Sequence, residues 1–260
     1  MRKAVISIIL VVALVTAALF SGCVFGAVTG SGNLVTEEMD FTDFTRVEVS
    51  DAFEVEITQS SSYSVSITAD DNLFEFIQVS KSGQTLKIGL KGGYGYQSVT
   101  VRAKITMPKL HGLGLSGATQ GTVAGFSSPD DFELGLSGAS SVEIVNMAAG
   151  DIEFELSGAS QVTGGISAVD AQFDLSGASR VELKGSANNM LITSSGASHL
   201  ELADFPVRNL DINLSGASQA TVNLDGKLDA DLSGGSQLLY IGEPTLGDLN
   251  ISGGSTMRKE

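Results

Sequence analysis

The chain has 260 residues, enough for one large domain or two small ones, with 42% hydrophobic residues, 6% aromatics, no Trp and 31 glycines. That composition argues against a core built on bulky rings and for close packing of small residues. Fifteen basic residues against 30 acidic ones give a net charge of −15, a field that repels phosphate backbones and excludes nucleic acid as a partner.

In chain order, the first element is an export signal over residues 1–22. Met1-Arg2-Lys3 is basic, Ala4 to Phe20 is apolar apart from Ser7 and Thr16, and small residues follow. The apolar stretch is slightly long for a signal core and slightly short for a comfortable membrane span. Phe20-Ser21-Gly22-Cys23 resembles the lipobox of prokaryotic lipoproteins, which implies lipidation of Cys23 as the mature N-terminus. Phe20 stands where that motif usually has Leu, so ordinary cleavage or an uncleaved anchor are the alternatives. Cys23 is the only cysteine, so no internal disulfide forms. Residues 23–34 read as a short tether. Together these features place the protein outside the cell, at the envelope surface, with the membrane as its anchor.

Residues 35–110 alternate with period two: Val47 and Val49, Phe53 with Val55 and Ile57, Val65 and Ile67, Leu86 with Ile88 and Leu90, then Val99, Val101 and Ile105. Gly92-Gly93-Tyr94-Gly95-Tyr96 reads as a flexible loop within this part. It is expected to be either an irregular start to the architecture that follows or a β cap on its first edge.

Residues 111–256 carry an internal repeat. Ser-Gly-Ala/Gly-Ser/Thr begins at Ser116, Ser137, Ser157, Ser176, Ser195, Ser215, Ser233 and Ser252, at intervals of 21, 20, 19, 19, 20, 18 and 19 residues. One residue before each motif stand Leu115, Leu136, Leu156, Leu175, Ser194, Leu214, Leu232 and Ile251. Three before stand Leu113, Leu134, Phe154, Phe173, Ile192, Ile212, Ala230 and Leu249. Between those two columns lie Gly114, Gly135, Glu155, Asp174, Thr193, Asn213, Asp231 and Asn250. Apolar-in, polar-out alternation resumes after the motif, so each unit is two short strands joined at a small-residue corner. A unit of about 19 residues cannot bury its own apolar face and must stack on its neighbours. The expected fold is all-β: a parallel β-helix, or β-solenoid, right-handed because parallel crossovers almost always are. Glycine permits the bend, and the serine columns are expected to bond one another or the corner backbone.

The chain resembles the prokaryotic family called putative auto-transporter adhesin, head GIN domain. The resemblance is carried by Phe44-Thr45-Arg46-Val47-Glu48-Val49 with Phe53 to Gln59, by Tyr63 to Ile67 with Asp70-Asp71-Asn72-Leu73 and Gly83 to Ile88, and by Ile105 to Leu110 before Ser116-Gly117-Ala118-Thr119. It covers residues 35–256 and implies a solenoid-like all-β fold, a cell-envelope location and an adhesive role, with no catalytic motif to carry over.

The outward column Glu155, Asp174, Thr193, Asn213, Asp231 and Asn250 is the candidate site. Its carboxylates at one inter-strand spacing, roughly 4.8 Å, match the close pair of a retaining glycosidase, and its oxygens would suit Ca²⁺. The plain alternative, and the favoured one, is a solvated polar face. A serine nucleophile would need His111 or His199, but nothing sets an acid behind either in a triad. A zinc site lacks ligand spacing. Asp151, Glu153 and Glu155 alternate on one strand face and read as solvated. The sequence therefore indicates a non-enzymatic, adhesin-like binding or structural module, acting on an extracellular glycan or protein, with self-association through the last solenoid edge as a further expectation. A carbohydrate-active enzyme working through Glu155 and Asp174 is the competing reading.

Overall fold

The structure, a computed structural model, describes residues 26–260; the leader and Cys23 lie outside them. The chain forms a β-solenoid of about seven turns. Each regular coil contributes one strand to each of two sheets. The first sheet contains the strands that precede the serine corners, from Gly112–Leu115 and Phe132–Leu136 through Ile152–Leu156, Asp170–Leu175, Asn189–Ser194, Asn209–Leu214 and Lys227–Leu232 to Thr245–Ile251. The second contains those that follow, from Gln120–Ala124 to Thr256–Lys259. Within these runs neighbours are parallel and in register, so that Leu134 pairs with Phe154, Phe154 with Phe173 and Phe173 with Ile192.

Stacking puts like on like inside the core. The rings of Phe154 and Phe173 lie 5.1 Å apart and 20° from parallel, and both are fully buried, each worth about 1.5–3 kcal/mol relative to exposure. Ser194 interrupts the leucine column; buried there, it sits with its Oγ 3.2 Å from that of Ser218 on the next coil, which satisfies an otherwise costly polar group.

The serine motif is the corner. Its glycine has φ between +66° at Gly253 and +82° at Gly196, the left-handed region that favours glycine. Its peptide groups extend the inter-coil ladder: Ala159 N donates to Gly138 O at 2.8 Å and Ala178 N to Gly158 O at 2.7 Å. From Thr119 to Ser236 the second hydroxyl column is buried, and its Oγ atoms donate back three residues to the first serine's carbonyl, as Ser160 to Ser157 at 2.7 Å and Ser179 to Ser176 at 2.9 Å. The serines thus bond the corner backbone.

The opposite corner has a device of its own. Asp131 Oδ1 accepts from Asp151 N at 2.9 Å, Asp151 Oδ1 from Asp170 N at 3.1 Å, and Asp170 Oδ1 from Asn189 N at 3.0 Å. Asn189 Oδ1 accepts from Asn209 Nδ2 at 2.9 Å, and Asn209 Oδ1 from Lys227 N at 2.9 Å. Asp151, read as solvated, is a rung of this ladder.

The N-terminal part is both a start of the solenoid and its cap. Arg46–Val49 and Glu54–Gln59 form a coil in register with Gly112–Leu115 and Gln120–Ala124. Ser50-Asp51-Ala52-Phe53 occupies the corner position, with φ of +67° at Asp51 and +63° at Ala52, so a corner stands where no serine motif is legible. Beyond it lie Thr85–Leu90 and Val101–Met107, each parallel to the first coil. Antiparallel strands Ile77–Ser82, Ser64–Asp70 and Leu34–Met39 then cover this end, so that Ile77–Ser82 and Leu34–Met39 become the edge strands of the two sheets there. The stretch expected as a tether over 23–34 is attached from Ala27 onward. Ala27–Thr29 pairs with Gly95–Gln97, and Gly32 N donates to the buried Asp70 carboxylate at 2.7 Å, whose other oxygen accepts Thr100 N at 2.8 Å. The far end, Thr245–Ile251, leaves Leu246 and Ile251 nearly half exposed.

Candidate functional site

Because side chains alternate across a strand, the outer face of the first sheet is built from every second residue. The register brings the whole sequence-derived column together: Glu155 pairs with Asp174, Asp174 with Thr193, Thr193 with Asn213, Asn213 with Asp231 and Asp231 with Asn250. All are exposed except Asp174, which is half-buried and accepts a hydrogen bond from Gln172 Nε2 at 2.8 Å.

The column continues toward the N-terminal end through Gly135, Gly114 and Glu48 to Lys87. Two successive glycines remove the side chains between a wall at Glu48 and Lys87, whose ion pair is 2.6 Å long, and a wall at Glu155 and Asp174. The result is a groove of about 890 Å³ that also takes in Gln78, Ser80 and Gly89. It falls within the ~300–1,000 Å³ typical of ligand sites. Smaller depressions of about 230 and 450 Å³ extend it over Glu133, Glu153 and Asp170. A side chain at Gly135 would meet nothing within 4 Å, so the opening reflects the residue chosen there and not a constraint of packing.

Beside the groove, Arg46 reaches across Gly112 to clamp Glu133 with two hydrogen bonds of 2.7 Å. That contact holds the Glu133 carboxyl below the usual carboxylate range and raises the guanidinium of Arg46. The face is acidic, with its few cations tied to carboxylates.

The other candidates separate in space. Ser198 is buried and its hydroxyl donates to Ser195 O at 3.2 Å, so it is not offered to His199, which lies in the second sheet in register with Arg180 and Gln219. His111 lies 3.4 Å from Asp130 at the opposite corner. Among the described residues no three His, Cys, Asp or Glu side chains come together as a metal site. Cys23 lies outside the described residues.

Two features of the face were missed in the sequence. Gly114 and Gly135 stand in the very column singled out, but a column inspected for oxygen ligands hides the importance of positions with no side chain. The Gly92–Tyr96 segment, read as flexible, is held by strand pairing of Gly95–Gln97 and by Tyr96 Oη donating to Lys91 O at 2.7 Å.

The family described as putative auto-transporter adhesin, head GIN domain, matches residues 43–244, most of the solenoid. The chain belongs to this head GIN domain family. Solved structures share its fold. A putative lipid binding protein from Parabacteroides distasonis superposes with a TM-score of 0.81 at 20% identity, covering 90% of this chain and 99% of that one. A putative adhesin from the same species gives 0.82 at 19% identity, over 90% and 100%. A putative adhesin from Parabacteroides merdae gives 0.79 at 17% identity, over 90% and 99%. No curated protein matches the chain. For this GIN-domain chain the feature shared with these structures is the solenoid fold.

Proposed function

We propose that this GIN-domain chain is an exported surface protein, held to the membrane through lipid on Cys23, that binds an extracellular ligand along the groove of its first sheet. The observation that carries this reading is the pair of glycines, Gly114 and Gly135, opening the outward column between two polar walls. At Gly114 an added Cβ would press on the Glu48 side chain at 3.3 Å, but at Gly135 nothing crowds a side chain, so packing does not account for the opening there. The adhesin description of the family and of two solved relatives is consistent with a binding role. The lipid binding name belongs to a relative of 20% identity, for which likeness extends to the fold.

The chain is a binding module and not an enzyme on this reading: the buried hydroxyl column closes corners, and the two histidines stand on different elements. Gly135→Arg is the test. Its side chain enters open space, so folding is retained while the groove is filled. Adhesion of cells displaying the full chain to a matrix and mucus panel should fall with Gly135→Arg; adhesion unchanged by the substitution would overturn the groove as the binding surface. Mass spectrometry of the mature N-terminus tests the anchor: an unmodified Cys23, or cleavage elsewhere, refutes lipidation.

A further inference from the structure

An aromatic cluster stands next to the edge strand Ile77–Ser82, just beyond the residues that line the groove. Phe76 meets Tyr94 at 5.0 Å and 70°, and Tyr96 at 6.2 Å and 76°, while the two tyrosines lie 6.4 Å apart. Phe76 precedes Gln78 and Ser80 by two and four residues, the spacing that shares one face of an extended chain. Its carbonyl accepts Lys91 N at 2.8 Å, which extends the ladder of Ile77–Ser82 on Thr85–Leu90 by one pair. Phe76 therefore continues the strand whose Gln78 and Ser80 line the groove, and it carries Tyr94 and Tyr96 beside that end. Tyr94 is 38% exposed, on a segment tied down by strand pairing at Gly95–Gln97.

We propose that the groove takes a neutral polysaccharide chain, with one sugar ring stacked on Tyr94 and the following units laid over Gly114 and Gly135 toward Glu155 and Asp174. This rests on the reading of the groove as the binding surface. Sugar rings present apolar C–H faces and a rim of hydroxyls. A pre-ordered aromatic ring serves the first, and carboxylate, amide and hydroxyl groups of Glu155, Asp174, Gln78 and Ser80 serve the second. Five inter-strand steps separate Gln78 from Glu155, roughly 24 Å along the sheet, which suits a chain and not a single small molecule. Acidic polymers are opposed by the carboxylate walls and the net charge of −15. Leu115, Leu136 and Leu156 beneath the groove are each 2% exposed and committed to the core. A peptide strand could add only at the edge strand Ile77–Ser82 and not along the face over Gly114 and Gly135, where the strands are already paired.

The test is affinity electrophoresis and calorimetry of the full chain against neutral hexasaccharides (gluco-, manno-, galacto-, xylo- and chito-series), polygalacturonate, and phosphatidylcholine vesicles. Binding of at least one neutral series, weakened roughly tenfold by Tyr94→Ala, kept by Tyr94→Phe and abolished by Gly135→Arg, is the expected result. Absence of any neutral glycan binding by the wild type overturns the glycan assignment, and the groove reading still stands if Gly135→Arg abolishes cell adhesion. Preference for polygalacturonate or vesicles overturns it as well. Neutral glycan binding that survives Gly135→Arg shows instead that the groove reading is the one that fails.

Discussion

The hydroxyl of Ser160 donates to the carbonyl of Ser157 at 2.7 Å, and the same three-residue bond recurs in the corners from Thr119 to Ser236. The first serine of the motif is used differently: Ser157 Oγ reaches only Leu136 O, at 3.4 Å. Two serines that look interchangeable in the repeat are therefore expected to differ. Ser160→Ala removes a buried hydrogen bond and should cost about 1 kcal/mol. Ser157→Ala should stay within about 0.5 kcal/mol. Chemical denaturation of the two variants side by side checks this, and equal losses would show that the hydroxyl bond does not hold the corner.

The glycine between them is the less replaceable residue. Gly158 has φ +76°, and an added Cβ would come within 2.4 Å of Gly138 O on the coil below. Both strain and collision act, so Gly158→Ala should destabilise by at least about 2 kcal/mol. Gly135→Ala, lacking both features, should change the melting temperature little. Thermal melts of the two variants make the comparison.

The sequence makes the corners, the inward columns and the register plain, because a solenoid writes one coil's contacts again every 18 to 21 residues. What it hides is whatever occurs once. Ser50-Asp51-Ala52-Phe53 forms a corner without the motif because stacking on Ser116 to Thr119 imposes the bend, and a polar side chain at Asp51 can be tolerated at positive φ. The order of coils is also illegible: Thr85–Leu90 lies on the far side of Arg46–Val49 from Gly112–Leu115, a return dictated by long-range pairing. The candidate column was found as oxygen atoms, whereas the shape of the site comes from Gly114 and Gly135.

Acid should weaken the junction between Pro108–His111 and the loop around Asp130. Hydrogen bonds from Lys109 Nζ and Ser128 Oγ, both 2.7 Å, hold the Asp130 carboxyl down at about 2, below its usual 3.8. A depressed carboxylate stabilises the fold fully above its unfolded value. That contribution is lost as pH falls from about 4 through about 2. Glu133, Asp71 and Asp229 are lowered in the same direction. Lys109→Ala should therefore reduce the melting temperature at pH 6 more than at pH 2, where Asp130 is half protonated. A constant difference across that range would remove Lys109 as the cause.

Calcium is expected to leave the fold unchanged. Along the outward column the carboxylates of Glu155 and Asp174 are neighbours, but Asp231 lies between Asn213 and Asn250, and no three acidic groups converge among the described residues. A Ca²⁺ site wants six to eight oxygens with several carboxylates. Melting curves with EDTA and with millimolar Ca²⁺ should coincide, and a rise with Ca²⁺ that Asp174→Asn removes would establish a site the column alone does not suggest.

At the opposite corner Asp170 Oδ1 accepts both the backbone N–H and the side-chain amide of Asn189, at 3.0 and 2.8 Å. The work is done by a neutral-capable oxygen at the right height, not by charge, since Asn189 and Asn209 occupy the next two rungs. Asp170→Asn should thus be close to neutral, apart from the charge-assisted share of two bonds. Asp170→Leu leaves Asn189 N without its acceptor and should cost about 1–3 kcal/mol. Hydrogen exchange at Asn189 gives a local readout: protection retained in Asp170→Asn and lost in Asp170→Leu. If both variants exchange alike, the ladder is a consequence of stacking and contributes nothing to it.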